Sequence, residues 1–179
     1  MCRKEFNKYS GKRITMSTNE VESLISSGNI RSASRKLSDM VSDNPDNDHL
    51  WYLKGMTSLK ARNYEGALDS FTKAHMLRKK PEYFRMKGIA NMQVFNLDDA
   101  IENFEEALEH GKDVQSLFFL SVCYMFFDNS LAMDFLKKAY LEDRKKTKQL
   151  LNNFYSTFFA GKSLDAATKR KIRETLADI

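Results

Sequence analysis

The sequence predicts an all-α fold, a right-handed α-solenoid of tandem antiparallel helix pairs, and three observations predict it. Helix formers dominate: Leu, Met, Ala, Lys and Glu outweigh the strand-favouring Val, Ile and Thr, and only two prolines and seven glycines interrupt 179 residues. Apolar residues recur at helical spacing, as in Ala67, Phe71 and Ala74 at i, i+4 and i+7. That stripe also repeats: it returns as Ala100, Phe104 and Ala107, while Trp51 and Gly55 return as Phe84 and Gly88, every residue displaced by 33. A fixed period of this length marks stacked helix-turn-helix units, each of which needs its neighbours to bury its apolar face.

Residues 1–16 carry Arg3, Lys4, Lys8, Lys12 and Arg13 without an apolar run, so a disordered basic arm is expected, not a secretory signal, and the expected compartment is the cytoplasm. Met16 precedes Ser17-Thr18-Asn19-Glu20, a helix start, and either Met1 or Met16 serves as the natural first residue. About four helix pairs then fill 17–143, over 17–45, 48–80, 81–113 and 114–142. Shifting the comb back by 34 gives Ala33, Leu37 and Met40 in the first pair. Shifting it forward by 32 gives Ala132, Leu136 and Ala139 in the last, where Leu117 and Ser121 replace Trp51 and Gly55. Within a pair the stripe lies on the second helix, and short turns such as Ala61-Arg62-Asn63 and Phe95-Asn96 join it to the first. Residues 144–179 form a further C-terminal helix pair, a degenerate repeat or a cap. Its first helix carries Leu150, Leu151, Phe154, Tyr155, Phe158 and Phe159 on one stripe; after Gly161, Ser163 caps a second with Leu164, Ala167, Ile172, Leu176 and Ile179.

The residues Trp51-x-x-x-Gly55, Tyr64, Ala67, Phe71 and Ala74, with Pro81 a little late for the closing proline and with Gly28, Ala33 and Pro45 in the first copy, resemble the tetratricopeptide repeat (TPR) across roughly 17–142. The match is specific in the two middle copies. Lys54 and Lys87 depart from it where the family usually has Leu, as does a one-residue contraction near Asp128 to Ser130 that bears on the third turn and not on the fold.

Nothing in the sequence converges on catalysis, and neither an enzyme nor a cofactor is expected. His49, His75 and His110 lie in different repeats without metal-ligand spacing and read as surface or cap residues. Gly161-Lys162-Ser163 lacks the leading glycine and preceding strand of a phosphate-binding loop. The run Asp98, Asp99, Glu102, Glu105, Glu106, Glu109 is spaced as a solvated helix face, not as a calcium loop. Cys2 and Cys123 suggest no disulfide, and Cys123 reads as a small buried hydrophobe. The apolar run from Leu117 to Phe127 is shorter than the roughly 20 residues of a membrane span.

The TPR resemblance implies that the first helix of each pair lines a concave groove. Its inner residues are Tyr52, Leu53, Met56, Leu59 and Lys60; then Arg85, Met86, Ile89, Met92 and Gln93; then Phe118, Phe119, Val122, Met125 and Phe126. Such a groove is apolar and rich in Met and Phe, and suits a hydrophobic or amphipathic segment of a protein partner. Family members that clamp acidic chaperone tails carry Lys, Asn and Arg on these helices; Tyr52, Met56, Met86 and Phe119 stand there instead, which disfavours that partner. The expectation is therefore a scaffold or adaptor binding a segment in the groove. The same side chains would alternatively be covered by packing between repeats, by residues 164–179 folding back, or by self-association.

Charge supplies a second reading. Of the formal +5, residues 1–15 contribute +4, residues 144–179 contribute +6 and residues 16–143 contribute −5. Arg144, Lys145, Lys146 and Lys148, then Lys169, Arg170, Lys171 and Arg173, are dense enough to bind phosphates of nucleic acid or an anionic membrane, with the repeats as a spacer. No nucleic-acid motif accompanies them, and the acidic body would repel phosphate, so this is the lesser expectation.

Overall fold

The computed structural model describes residues 18–158, together with Arg170 and Glu174. The expected arm over 1–16, the Gly161-Lys162-Ser163 turn and the second C-terminal helix lie outside the described residues. Among the described residues nine helices follow in order: α1 (Thr18–Ser26), α2 (Ile30–Asp43), α3 (Asp48–Lys60), α4 (Tyr64–Leu77), α5 (Pro81–Gln93), α6 (Leu97–Glu109), α7 (Val114–Phe126), α8 (Leu131–Glu142) and α9 (Arg144–Phe158). Each helix packs on the next. Each odd-numbered helix also touches the next odd one, whereas consecutive even helices do not meet. The odd helices therefore form the tight inner layer of a right-handed solenoid and the even helices its splayed outer layer.

The turns inside the four pairs α1/α2 to α7/α8 share one construction. Gly28, Arg62, Phe95 and Asp128 each adopt a positive φ, of 79°, 60°, 59° and 49°. The following asparagines, Asn29, Asn63, Asn96 and Asn129, donate their backbone N–H to the carbonyl five residues back at 2.9–3.0 Å. The positive-φ residues donate to the carbonyl three back. This is the Schellman arrangement, which satisfies carbonyls left open at a helix C-terminus. The asparagine comb escaped the sequence reading because neighbouring loops also contain Asn. The contraction in the last pair falls just after its asparagine. In the first three pairs Ala33, Ala67 and Ala100 donate to the asparagine carbonyl four residues back; Ala132 donates to that of Asn129, three back, at 3.0 Å. A tighter first turn of α8 absorbs the missing residue and leaves the reversal intact.

The comb is the core. Ala67, Phe71, Ala74, Ala100, Phe104 and Ala107 are fully buried. A Cβ built on Gly55 would lie 2.5 Å from Cε1 of Phe71, and one on Gly88 would lie 2.5 Å from Cε1 of Phe104. Glycine is required because the aromatic edge occupies the space of a methyl group. Where Ser121 replaces this glycine, the facing comb residue is the shorter Leu136, and the Ser121 hydroxyl donates to the Phe118 carbonyl at 2.7 Å. Trp51 is held by its indole N–H, which donates to the Pro45 carbonyl at 2.7 Å, and Lys54 lies 4.9 Å over its ring.

Two polar networks lock successive inner helices in register. Tyr83 on α5 donates its hydroxyl to Asp48 Oδ2 of α3 at 2.5 Å, and Lys80 reaches the same carboxylate at 2.9 Å. Burial, and then the bond to Asp48, push the Tyr83 hydroxyl up to about 12. Burial also raises Asp48, but the bonds from Tyr83 and Lys80 outweigh it and leave this carboxyl below its ordinary value. In the next interface Arg85 Nη1 contacts both oxygens of Asp113 at 2.7 Å, and the Ser116 hydroxyl donates to Asp113 Oδ2 at 2.6 Å.

Gly88→Ala is expected to destabilise the protein by about 1–3 kcal/mol through overpacking against Phe104, read as a lower urea midpoint with an unchanged slope. Because the fold raises the Tyr83 pKa from 10.0 to about 12, its stabilising contribution is complete below pH 10 and is lost as pH rises through 12. Urea titrations across that window should show the parent losing about 2 kcal/mol more than Tyr83→Phe, whose curve lacks this component.

Candidate functional site

The structure separates the sequence-predicted groove residues by burial and by partner. Leu53, Met86, Phe118 and Val122 are in the core, at most 9 % exposed, and present no surface to a partner. Phe118 and Val122 are buried because α9 lies on them: Phe154 meets Phe118 edge-on at 6.1 Å, and Leu151 joins the same cluster. Tyr52, Met56 and Leu59 are half-buried. The Tyr52 ring lies 5.3 Å from Tyr83 and 6.0 Å from Phe71, and all three pack on the cluster of Ala67, Phe71, Met86 and Ala90. Arg85 is held by Asp113, so its charge is neutralised locally.

Five of the others come together. Ile89, Met92 and Gln93 from α5 and Phe119 and Phe126 from α7 line one cleft of ≈ 370 Å³, which Phe95, Leu97 and Phe154 complete. Phe119 stacks on Phe104 at 5.5 Å, which fixes its ring as the floor. Phe95 and Phe126 are 73 % and 48 % exposed, the first held outward by its positive φ. Met125 and Lys60 are exposed outside this cleft. Phe95 and Phe154 were missed because one reads as a turn residue and the other belongs to a helix without the repeat signature. Phe127, at 49 % exposure, and Leu131, at 42 %, extend the apolar surface around the α7/α8 turn. A second cleft of ≈ 460 Å³ lies between Leu108, Leu117 and Leu141, where Lys112 bonds to Glu142 at 3.1 Å.

Chemistry is sparse around these surfaces. Among the described residues no group of three His, Cys, Asp or Glu could hold a metal ion. His49 bonds to Glu22 at 3.1 Å, and His110 caps the C-terminus of α6. His75, half-buried, and His110 sandwich the Phe84 ring at 5.0 and 4.9 Å. Burial, and then the charges of Lys87 and Lys79, hold His75 below its ordinary pKa. Cys123 is fully buried, and burial pushes its thiol up to about 12, which suits a core residue and not a nucleophile. No described helix is long and apolar enough to cross a membrane. At the start of α9, Arg144 and Lys148 sit over the Tyr140 ring at 5.3 and 5.9 Å, with Lys145 and Lys146 beside them. Arg170 pairs with Glu174 at 3.4 Å; Lys169, Lys171 and Arg173 lie outside the described residues.

No protein-family model matches the sequence, and no curated protein matches it significantly. Solved structures do. A MamA crystal structure superposes with a TM-score of 0.67 over 92% of this chain and 91% of its own, at 16% identity. A thermophilic TPR protein of Thermus thermophilus gives 0.66 over 74% and 75%, at 13% identity. The fold is a TPR solenoid. A chain of the APC/C hetero-tetramer Cut9-Hcn1 gives 0.60 over 73% of this chain but 25% of its own, at 19% identity, so this solenoid corresponds to part of that longer one.

Within the TPR layer that carries the cleft, Arg85→Met leaves the buried Asp113 carboxylate with Ser116 as its remaining partner. A loss of about 3 kcal/mol is expected in urea unfolding, and most of it should be recovered by Asp113→Asn in the same chain.

Proposed function

We propose that this protein is an interaction scaffold that holds a hydrophobic or amphipathic segment of a partner protein in the concave face of its TPR solenoid. The observation that carries this reading is the cleft of Ile89, Met92, Phe119 and Phe126, where side chains from two inner helices and α9 converge on an open apolar surface. A groove of this kind accepts a helix through side chains one turn apart, and Met92 adapts to imperfect shapes. Burying three or four large apolar anchors contributes roughly 5–10 kcal/mol gross. Association costs about 4–15 kcal/mol, so micromolar affinity is the expected regime.

The four cations at the start of α9 support a second reading, recruitment to nucleic acid or an anionic membrane with the repeats as spacer. Steep weakening of binding with salt would favour it.

The test is a display selection of random helical peptides on the parent protein, with enriched sequences re-measured on Phe95→Asn plus Phe126→Ser. Both sites are exposed, and Asn tolerates the positive φ at 95, so the fold should persist by circular dichroism. Enrichment of apolar residues at i, i+3 and i+4, with at least about tenfold weaker binding to the variant, is the expected outcome. Selected peptides that bind parent and variant alike would place the working surface elsewhere.

A further inference from the structure

We infer that the cleft between α5, α7 and α9 takes an amphipathic helix whose polar face is cationic, supplied by a partner protein; this rests on the scaffold reading above. The floor is Phe119 and Met92, and the rim is raised by the exposed rings of Phe95, in the turn after α5, and Phe126, the last residue of α7. An apolar floor between protruding aromatic walls accommodates one helical ridge of large side chains better than a flat sheet or a lipid surface.

From Gly88 to Leu136, the stretch that supplies seven of the eight lining residues, every charged side chain except Lys112 is a carboxylate. Lys112 is itself paired with Glu142. Asp98 follows the lining residue Leu97, and Asp128 stands two residues after Phe126; both are exposed. Of the two cations on α5, Arg85 is held by Asp113, and Lys87 lies close enough to His75 to lower its pKa. The cations of α9 sit in its first turns, at Arg144 to Lys148, away from Phe154. The field over the cleft is therefore negative. An acidic segment, a nucleic acid or an anionic bilayer would approach it against repulsion, and Lys or Arg flanking apolar anchors would approach it with attraction.

Two synthetic helical peptides share the same apolar residues at i, i+3, i+4 and i+7; one carries Lys and the other Glu along the polar face, and a scramble of the Lys peptide is the third probe. Fluorescence anisotropy should give the Lys peptide the highest affinity, with the Glu peptide and the scramble each at least about tenfold weaker. Asp98→Asn plus Asp128→Asn should weaken the Lys peptide about three- to tenfold and improve the Glu peptide, without changing the circular dichroism. Equal binding of the Lys and Glu peptides would overturn the cationic preference and leave the apolar groove standing. Equal binding of the Lys peptide and its scramble would reduce the effect to surface attraction and also overturn it. If neither ordered peptide binds, the groove reading fails with it.

Discussion

Three residues in each pair must end one helix, reverse the chain and begin the next, and the rest of the solenoid depends on how they dispose of their backbone groups. The residue with positive φ turns its N–H back to the helix just finished, the asparagine after it closes the wider ring, and the asparagine carbonyl receives the first bond of the next helix. Donors and acceptors that would otherwise be stranded at two helix ends are thus satisfied inside one reversal. Glycine adopts this φ most readily and stands there in the first pair as Gly28, yet Arg62, Phe95 and Asp128 stand there in the others. A non-glycine residue costs roughly 1 kcal/mol at such a position. The fixed angle of the reversal is what brings Gly55 under Phe71 and Gly88 under Phe104.

Much of this was legible in the sequence. The alanine, phenylalanine and glycine comb reads directly because close helix approach admits few residue types, and its alanines and phenylalanines in the two middle pairs are fully buried. The α7/α8 turn was harder to foresee. A missing residue suggested altered geometry, but the backbone kept the reversal and tightened the start of α8, since shortening a helix's first turn disturbs fewer contacts than reshaping a turn.

The candidate groove was legible only in part, and for a physical reason. On an inner helix, neighbouring stripes look alike in composition although one faces the adjoining inner helix and the other faces solvent. Phe118 and Val122 carry the apolar character of a binding surface but lie beneath Phe154 and Leu151, whereas Phe126, one to two turns later on the same helix, remains half open. Which stripe is covered depends on where α9 lands, and the repeat period carries no information about a helix that has lost the signature. Arg85 misled differently: an inward cation on a groove helix suggests a ligand contact, but Asp113 from the next inner helix already holds it.

Both polar networks between inner helices end on α5. Tyr83 with Lys80 reaches back to Asp48, and Arg85 reaches forward to Asp113, so one helix is fastened on both sides while α1 and α9 stand at the two ends of the described stack. A linear array melts inward from its ends, because terminal units have one neighbour and internal units have two. α5 is then the keystone, among the last helices to let go when the array frays. The α5 and α7 walls of the cleft stand on that most persistent part of the molecule, so a guest helix meets most of its surface already in place and leaves only the α9 side to be ordered.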